Sequence, residues 1–156
     1  MKRFPLLLSL FILSLGTLFS AQILVLGNAT KDEVLILKEW RQNYDAYRVD
    51  ATALSTLKSL PAGVEAEVYF GSWCGDSKVN VPKLVKIFET VDKVAVKYIG
   101  VNRRNDEKSS LFKTKQLERI PTVVLLYQGK EVGRIVENPK ETLEKDLVSI
   151  LTPILR

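Results

Sequence analysis

The chain has 156 residues, a formal net charge of +5, no histidine and a single cysteine. This length suits one domain with a core of its own. Without histidine there is no imidazole for nucleophile activation, general-base catalysis or metal binding, and no metal site is expected. Lysine and arginine are mixed with acidic residues along the chain, which indicates a solvated surface and argues against nucleic-acid binding.

The N-terminal stretch has the pattern of a secretory signal. A basic start at Lys2 and Arg3 precedes an apolar run over residues 4–19. We therefore predict a signal peptide over residues 1–21, cleaved after Ala21. The apolar run continues to Leu26, so an uncleaved anchor that attaches residues 4–26 to the membrane is the alternative. Both versions predict an exported protein in the periplasm or outside the cell.

Residues 22–46 are predicted to form a helical extension. The stretch Asn28–Glu33 is typical of a helix start, because it places acidic residues in the first turn. Val34, Leu37 and Trp40 then form an apolar stripe. We expect this helix to dock on the following domain rather than to bind a partner.

Residues 47–156 are predicted to form one domain of alternating strands and helices. Tyr47–Val49 is the expected first strand, and Asp50 the N-cap of a helix that ends at Pro61. The patterns then predict strands over residues 64–70, 94–101, 122–127 and 131–136, and helices over 78–89, from the loop at 103–107 to about 117, and from Pro139 onward. This order predicts an α/β fold with a central mixed sheet and helices on both faces.

Cys74 is expected where a strand ends and a helix begins. Residues 64–70 are rich in strand formers, and Val81, Leu84, Val85 and Phe88 follow with helical spacing. The first N–H groups of a helix have no partner within it and carry the positive end of its dipole. A thiolate is stabilised at such a place, so Cys74 is a candidate nucleophile rather than a small core residue.

Three motifs together resemble the thioredoxin family. Residues 73–78 read Trp-Cys-Gly-Asp-Ser-Lys, which is similar to the active-site turn Trp-Cys-Gly-Pro-Cys-Lys of that family. Pro82 lies where the family has a structural proline in the active-site helix. Residues 119–130 are similar to the family's Ile-Pro-Thr, apolar strand and glycine turn. The resemblance implies a thioredoxin-like fold over about residues 46–156, with a cis peptide bond before Pro121 that packs against the thiol.

Two departures from the family pattern concern the second half of its reaction. Ser77 replaces the resolving cysteine, and Val68 stands where the family has a buried carboxylate. Glu67 has the wrong parity on the strand to replace that acid. The two losses are consistent with each other, because a buried acid without a second thiol to deprotonate would be a costly charge.

The resemblance implies roles for the residues around Cys74. Ser77 is assigned with Cys74 to the catalytic pair, as a hydrogen-bond donor to the thiolate. Asp76 adds a negative charge beside the thiolate, and Lys78 partly offsets it. The expected substrate-binding residues are Trp73, Gly75, Asp76, Ile120 and Pro121.

The predicted function is therefore thiol–disulfide exchange by a monomer with one nucleophilic cysteine. Cys74 would form mixed disulfides with protein disulfides or small thiols, and an external thiol rather than a cofactor would resolve them. The alternative is a binding module in which Cys74 at most tethers a partner. A cluster carrier that pairs Cys74 with a small thiol across a dimer is a third hypothesis.

Overall fold

The computed structural model describes residues 23–103 and 110–155. The predicted signal peptide and the loop residues 104–107 lie outside the described residues. No helix within these ranges is long and apolar enough to span a bilayer.

Within these ranges the chain forms five strands and six α-helices. The strands are β1 (Gly27–Ala29), β2 (Val64–Phe70), β3 (Ala95–Gly100), β4 (Thr122–Tyr127) and β5 (Lys130–Val136). The helices are α1 (Lys31–Val34), α2 (Lys38–Ala46), α3 (Ala51–Lys58), α4 (Gly75–Val91), α5 (Ser110–Lys115) and α6 (Leu143–Leu151), followed by a 3₁₀ turn at Thr152–Leu155.

The strands form one mixed sheet in the order β1-β3-β2-β4-β5. The central strand β2 runs parallel to β3 and antiparallel to β4, and the edge strands β1 and β5 are antiparallel to their neighbours. The two residues of the β4–β5 turn, Gln128 and Gly129, both have positive φ, which the twist of a tight hairpin favours. The predicted α/β fold with a mixed sheet is confirmed.

Two apolar clusters cover the two faces of the sheet. The larger cluster joins alternate β2 residues, such as Val68 and Phe70, to residues of α1, α2, α3, α4 and α6. The smaller cluster packs Tyr69 and Ile120 against Phe112 of α5. Because successive strand residues point to opposite faces, β2 contributes to both clusters.

The predicted strand at Tyr47–Val49 is wrong. The free edge of β3 is occupied by β1 from the N-terminal extension, so no edge is left there for residues 47–49. This segment is instead fixed by the buried carboxylate of Glu144 on α6. Oε1 of Glu144 accepts hydrogen bonds from the Tyr47 hydroxyl at 2.7 Å and from the Asp50 N–H at 3.2 Å.

Three helix boundaries also differ from the predictions. The helix expected from residue 28 onward is divided, because the Thr30–Glu33 capping box starts the short α1 and α2 begins only at Lys38. Helix α4 begins at Gly75, three residues earlier than expected. Helix α6 begins at Leu143 rather than at Pro139, because Thr142 is its N-cap and accepts the N–H of residue 145.

Helix α2 compensates for the proline inside α4. Pro82 has no N–H, so the carbonyl of Lys78, four residues earlier, lacks its helical donor. The side-chain amide of Asn43 donates to that carbonyl at 2.8 Å. In return, the Nζ atom of Lys86 on α4 donates to the carbonyl of Tyr44 near the end of α2, at 2.8 Å. The extension is therefore bound to α4 through backbone groups that the helices themselves leave unpaired.

Glu67 on β2 forms a buried charged network beneath α5. Its Oε2 atom accepts hydrogen bonds from the Tyr69 hydroxyl and from Lys115 Nζ, both at 2.7 Å. Burial alone would raise the pKa of Glu67. The hydrogen bonds from Lys115 and Tyr69 lower this pKa by a larger amount, so it lies below its ordinary value. Burial and the bond to Glu67 raise the pKa of the Tyr69 hydroxyl.

Replacing Asn43 with alanine should lower the free energy of unfolding by about 1 kcal/mol, because the Lys78 carbonyl then lacks a donor. Urea denaturation measures the change. Gln42→Ala, at an exposed position of the same helix, is the matched control. In a Pro82→Ala background, which restores the helical N–H, Asn43→Ala should lower the free energy of unfolding by a smaller amount. An unchanged cost there would contradict the compensation.

Replacing Glu67 with glutamine should cost about 1–3 kcal/mol at neutral pH, because it weakens two hydrogen bonds to a buried carboxylate. The folded-state pKa of Glu67 lies below its ordinary value of 4.5, so its contribution is present above that value and is lost as pH falls through the folded pKa. The difference in the free energy of unfolding between wild type and variant should therefore become smaller at acidic pH. Urea titrations across pH test this, with the more exposed Glu65→Gln on the same strand as control; a pH-independent difference would refute it.

Candidate functional site

Cys74 lies at the junction between the central strand and helix α4. It is the N-cap of α4, with an extended backbone at φ −92° and ψ 130°, and its side chain makes no capping hydrogen bond. Its N–H donates to the carbonyl of Gly71 at 2.9 Å, which closes the turn after β2. The half-buried sulfur is thus next to the first turn of the helix, as the sequence predicts.

The Ile120–Pro121 peptide bond lies on the inner side of Cys74 and is cis. The Sγ atom of Cys74 donates to the carbonyl of Ile120 at 3.6 Å. Both Ile120 and Pro121 are buried, so they offer little side-chain surface to a substrate. Their contact with Cys74 is through the backbone carbonyl, which fixes the position of the sulfur.

Trp73 forms the outer boundary of the turn. Its Nε1 atom donates to the carbonyl of Val101 at 3.2 Å, and the Arg103 guanidinium lies 4.7 Å from its ring centroid. A Cβ atom on Gly71 would lie 2.7 Å from the Trp73 ring and 2.8 Å from Ile120 Cδ1. Only glycine therefore lets the indole and the isoleucine pack against the turn at this distance.

The structure does not support the expected hydrogen bond between Ser77 and Cys74. Ser77 is fully buried, and its Oγ atom accepts the N–H of Gly71 at 3.2 Å. Within the described residues no hydrogen bond joins Ser77 to Cys74. Ser77 thus holds the turn in place beneath the thiol.

Gly75 and Asp76 are exposed in the first turn of α4. Lys78, which was expected to offset the charge of Asp76, is paired instead with Glu39 of α2, with Nζ and Oε2 2.5 Å apart. The predicted site residues therefore form two groups. One group is accessible to solvent and consists of Trp73, Gly75 and Asp76. The other group is buried and consists of Ser77, Ile120 and Pro121.

A groove of about 270 Å³ opens beside the thiol. Trp73, Cys74 and Gly75 form one wall. The sequence analysis missed the opposite wall, which comes from the N-terminal extension and includes Ile23 and Leu37. Leu37 belonged to the predicted apolar stripe, but helical spacing does not distinguish a residue that docks from one that lines a groove.

The segment before β1 is attached to the turn. The N–H of Val25 donates to Ser72 Oγ at 3.2 Å, one residue before Trp73. The extension and the active-site turn are therefore parts of one structure.

Among the residues that the structure describes beneath Cys74, none replaces the family's buried acid. Val68 lies in the larger cluster, whereas Glu67 points to the other face and binds Lys115, as its strand parity predicts. Among the described residues, no group of three or more cysteine, aspartate or glutamate side chains could hold a metal ion.

Comparisons with known proteins agree with this geometry. The sequence model of the family described as Thioredoxin matches residues 28–149. Thioredoxin H2-1 of Oryza sativa subsp. japonica is 35% identical over 109 residues, which cover 70% of this chain and 68% of that protein. Thioredoxin H-type 1 of Nicotiana tabacum is 31% identical over 85 residues, which cover 54% of this chain and 64% of that protein.

A solved structure of a Pseudomonas aeruginosa protein of unknown function resembles the chain in fold. Its TM-score is 0.53 at 20% sequence identity, and the alignment covers 81% of this chain and 82% of that one. At this identity the likeness concerns the fold alone. Because the family model spans well over half of its length, this chain belongs to the thioredoxin family.

Proposed function

We propose that the protein is an exported thiol–disulfide oxidoreductase or isomerase that uses one thiol, Cys74, and needs an external thiol to release its partners. Membership of the thioredoxin family supports thiol–disulfide exchange as the general type of function. The observation that carries the proposal is the position of Cys74. Its sulfur lies at the start of α4, beside the Ile120 carbonyl, and borders an open groove.

The first step is attack by the Cys74 thiolate on one sulfur of a partner disulfide. A bond forms between Sγ and that sulfur, the partner's S–S bond breaks, and the other partner sulfur leaves as a thiolate. The proton that Sγ donates to the Ile120 carbonyl must leave before attack, because only the thiolate is nucleophilic. The thiolate then lies next to the first turn of α4, at the positive end of the helix dipole.

The second step needs a thiol from outside the chain. Cys74 is the only cysteine, and Ser77 supplies a buried hydroxyl where the family has a second sulfur. An external thiolate attacks Cys74 Sγ and releases the partner as a thiol, and a second external thiol frees Cys74 and is oxidised to a disulfide. Alternatively, a second cysteine of the partner attacks, which rearranges the partner's disulfides without net oxidation.

Export is the part of the proposal that rests on residues 1–21 alone. An oxidising compartment would supply partner proteins with disulfides, which a single half-buried thiol beside an open groove is suited to attack. Monomeric action on protein disulfides is proposed together with it.

Cys74→Ser should abolish the protein-dependent acceleration of insulin disulfide reduction by glutathione or dithiothreitol, because it removes the only sulfur nucleophile. Turbidity from the reduced insulin chains follows the reaction, and circular dichroism checks the fold of the variant. Equal rates for wild type, variant and thiol alone would refute the oxidoreductase and favour a binding module.

Ser77→Cys should shorten the lifetime of the mixed disulfide, because residues three apart at a helix start are neighbours and the new thiol can attack Sγ. Non-reducing mass spectrometry after quenching with acid measures the trapped fraction. Ser77→Ala is the matched control: it should cost about 1 kcal/mol of stability through the lost bond to Gly71 but leave trapping unchanged. If Ser77→Cys and wild type were trapped as mixed disulfides to the same extent, the residue at position 77 would not limit the release of the partner.

A further inference from the structure

The wall of the groove that comes from the N-terminal extension is fixed in place rather than laid loosely over the site. Its base is Trp40 of α2, which is 2% exposed and packs at 5.5 Å between ring centroids against Phe70 of β2. The N–H of Val25 donates a hydrogen bond to the side-chain hydroxyl of Ser72. A partner sulfur that reaches Cys74 through this groove must therefore pass residues of the extension.

The apolar part of this wall is exposed enough to contact a partner. Ile23 is 48% exposed, and Leu37 is half-buried with its side chain in the groove. Trp73 faces them from the active-site turn. The volume of about 270 Å³ lies below the roughly 300–1,000 Å³ of pockets for drug-sized ligands, so it suits one or two side chains of a polypeptide.

The charges at the rim are unequal. Lys78 and Glu39 pair with each other at 2.5 Å and largely cancel. Lys38 is exposed and lines the groove, and it forms no ion pair with any residue that the structure describes. Among the charged residues that line the groove, Lys38, Glu39 and Lys78, one positive charge therefore remains unbalanced, and it complements a carboxylate on the partner.

We propose that Leu37 and Lys38 determine which partner Cys74 accepts, and that the preferred partner is a polypeptide whose reacting cysteine lies between an apolar and an acidic residue. This inference rests on the proposed function, since the partner is held by the mixed disulfide. The apolar neighbour packs between Leu37 and Trp73, and the acidic neighbour approaches Lys38. The reaction is the first exchange step, with the partner's leaving thiolate expelled as Cys74 Sγ bonds to its cysteine.

Short peptides whose cysteine is linked to a chromophoric aromatic thiol test this preference. Leu-Cys-Glu, Leu-Cys-Lys and Ser-Cys-Glu peptides react with the full protein, and release of the coloured thiolate gives each rate. Each rate is divided by the rate of the same peptide with a small free thiol, which removes differences in intrinsic reactivity. Wild type should favour Leu-Cys-Glu over each of the others by about 3- to 10-fold, the range for partial burial of one or two methylene groups or for one exposed charge pair.

Two variants and a control assign the preference to the wall. Leu37→Ala should reduce the preference for leucine over serine, and Lys38→Glu should reverse the preference for glutamate over lysine, with an effect that salt weakens. Lys93→Glu makes the same charge change at an exposed position beyond the end of α4 and should behave as wild type. Equal normalised rates for the three peptides, or variants that keep the wild-type preference, would overturn the inference.

A neutral small disulfide and a binding measurement separate this inference from the proposed function. If the neutral disulfide does not react with Cys74, the oxidoreductase fails. The groove is then tested by measuring, through tryptophan fluorescence, how tightly the three peptides bind to Cys74→Ser. We expect the affinities to follow the same order as the rates. Equal or undetectable binding of the three peptides overturns the inference. If the neutral disulfide reacts but the peptides do not differ, only the inference about the wall fails.

Discussion

The close contacts around Gly71 are the constraint on which the active-site turn depends. Its carbonyl accepts the N–H of Cys74, and its N–H donates to Ser77 Oγ. Because it has no side chain, Trp73 and Ile120 can both pack where a Cβ atom would lie. One residue thus sets the start of helix α4, the position of the sulfur and the approach of the cis Ile120–Pro121 bond. A larger residue here would displace the turn together with the sulfur that it positions.

The N-terminal extension completes the domain as well as the groove. Strand β1 pairs with the free edge of β3, which protects that edge from pairing with another chain. Helix α2 supplies the donor that Pro82 removes from α4, through Asn43. The family match begins at residue 28, which is consistent with an extension that belongs to the domain. The structural proline and the extension are therefore coupled. Pro82 leaves the carbonyl of Lys78 without a helical donor, and Asn43 of the extension binds to that carbonyl.

Local patterns of the sequence predicted most of the central architecture, and long-range contacts decided the rest. Strand β2 and the apolar face of α4 follow from residue periodicity, and Asp50 caps α3 as expected. Tyr47–Val49 has the composition of a strand, but β1 from the extension pairs with the edge of β3, and periodicity contains no information about such long-range pairing. The contact of Ser77 with Gly71 could not be predicted for a related reason: it joins two residues six positions apart across the turn, and its partner is a backbone N–H, which residue type does not reveal.

The site is consistent with chemistry that needs only one sulfur. The hydroxyl of Ser77 is engaged with the backbone, Val68 is apolar, and the nearest buried acid on the strand, Glu67, is held by Lys115 on the opposite face. The inner side of the sulfur is occupied by the Ile120 carbonyl. The accessible side of the sulfur is therefore the one that borders the groove. In the proposed exchange, the walls of the groove therefore border the sulfur that forms the mixed disulfide and later releases it.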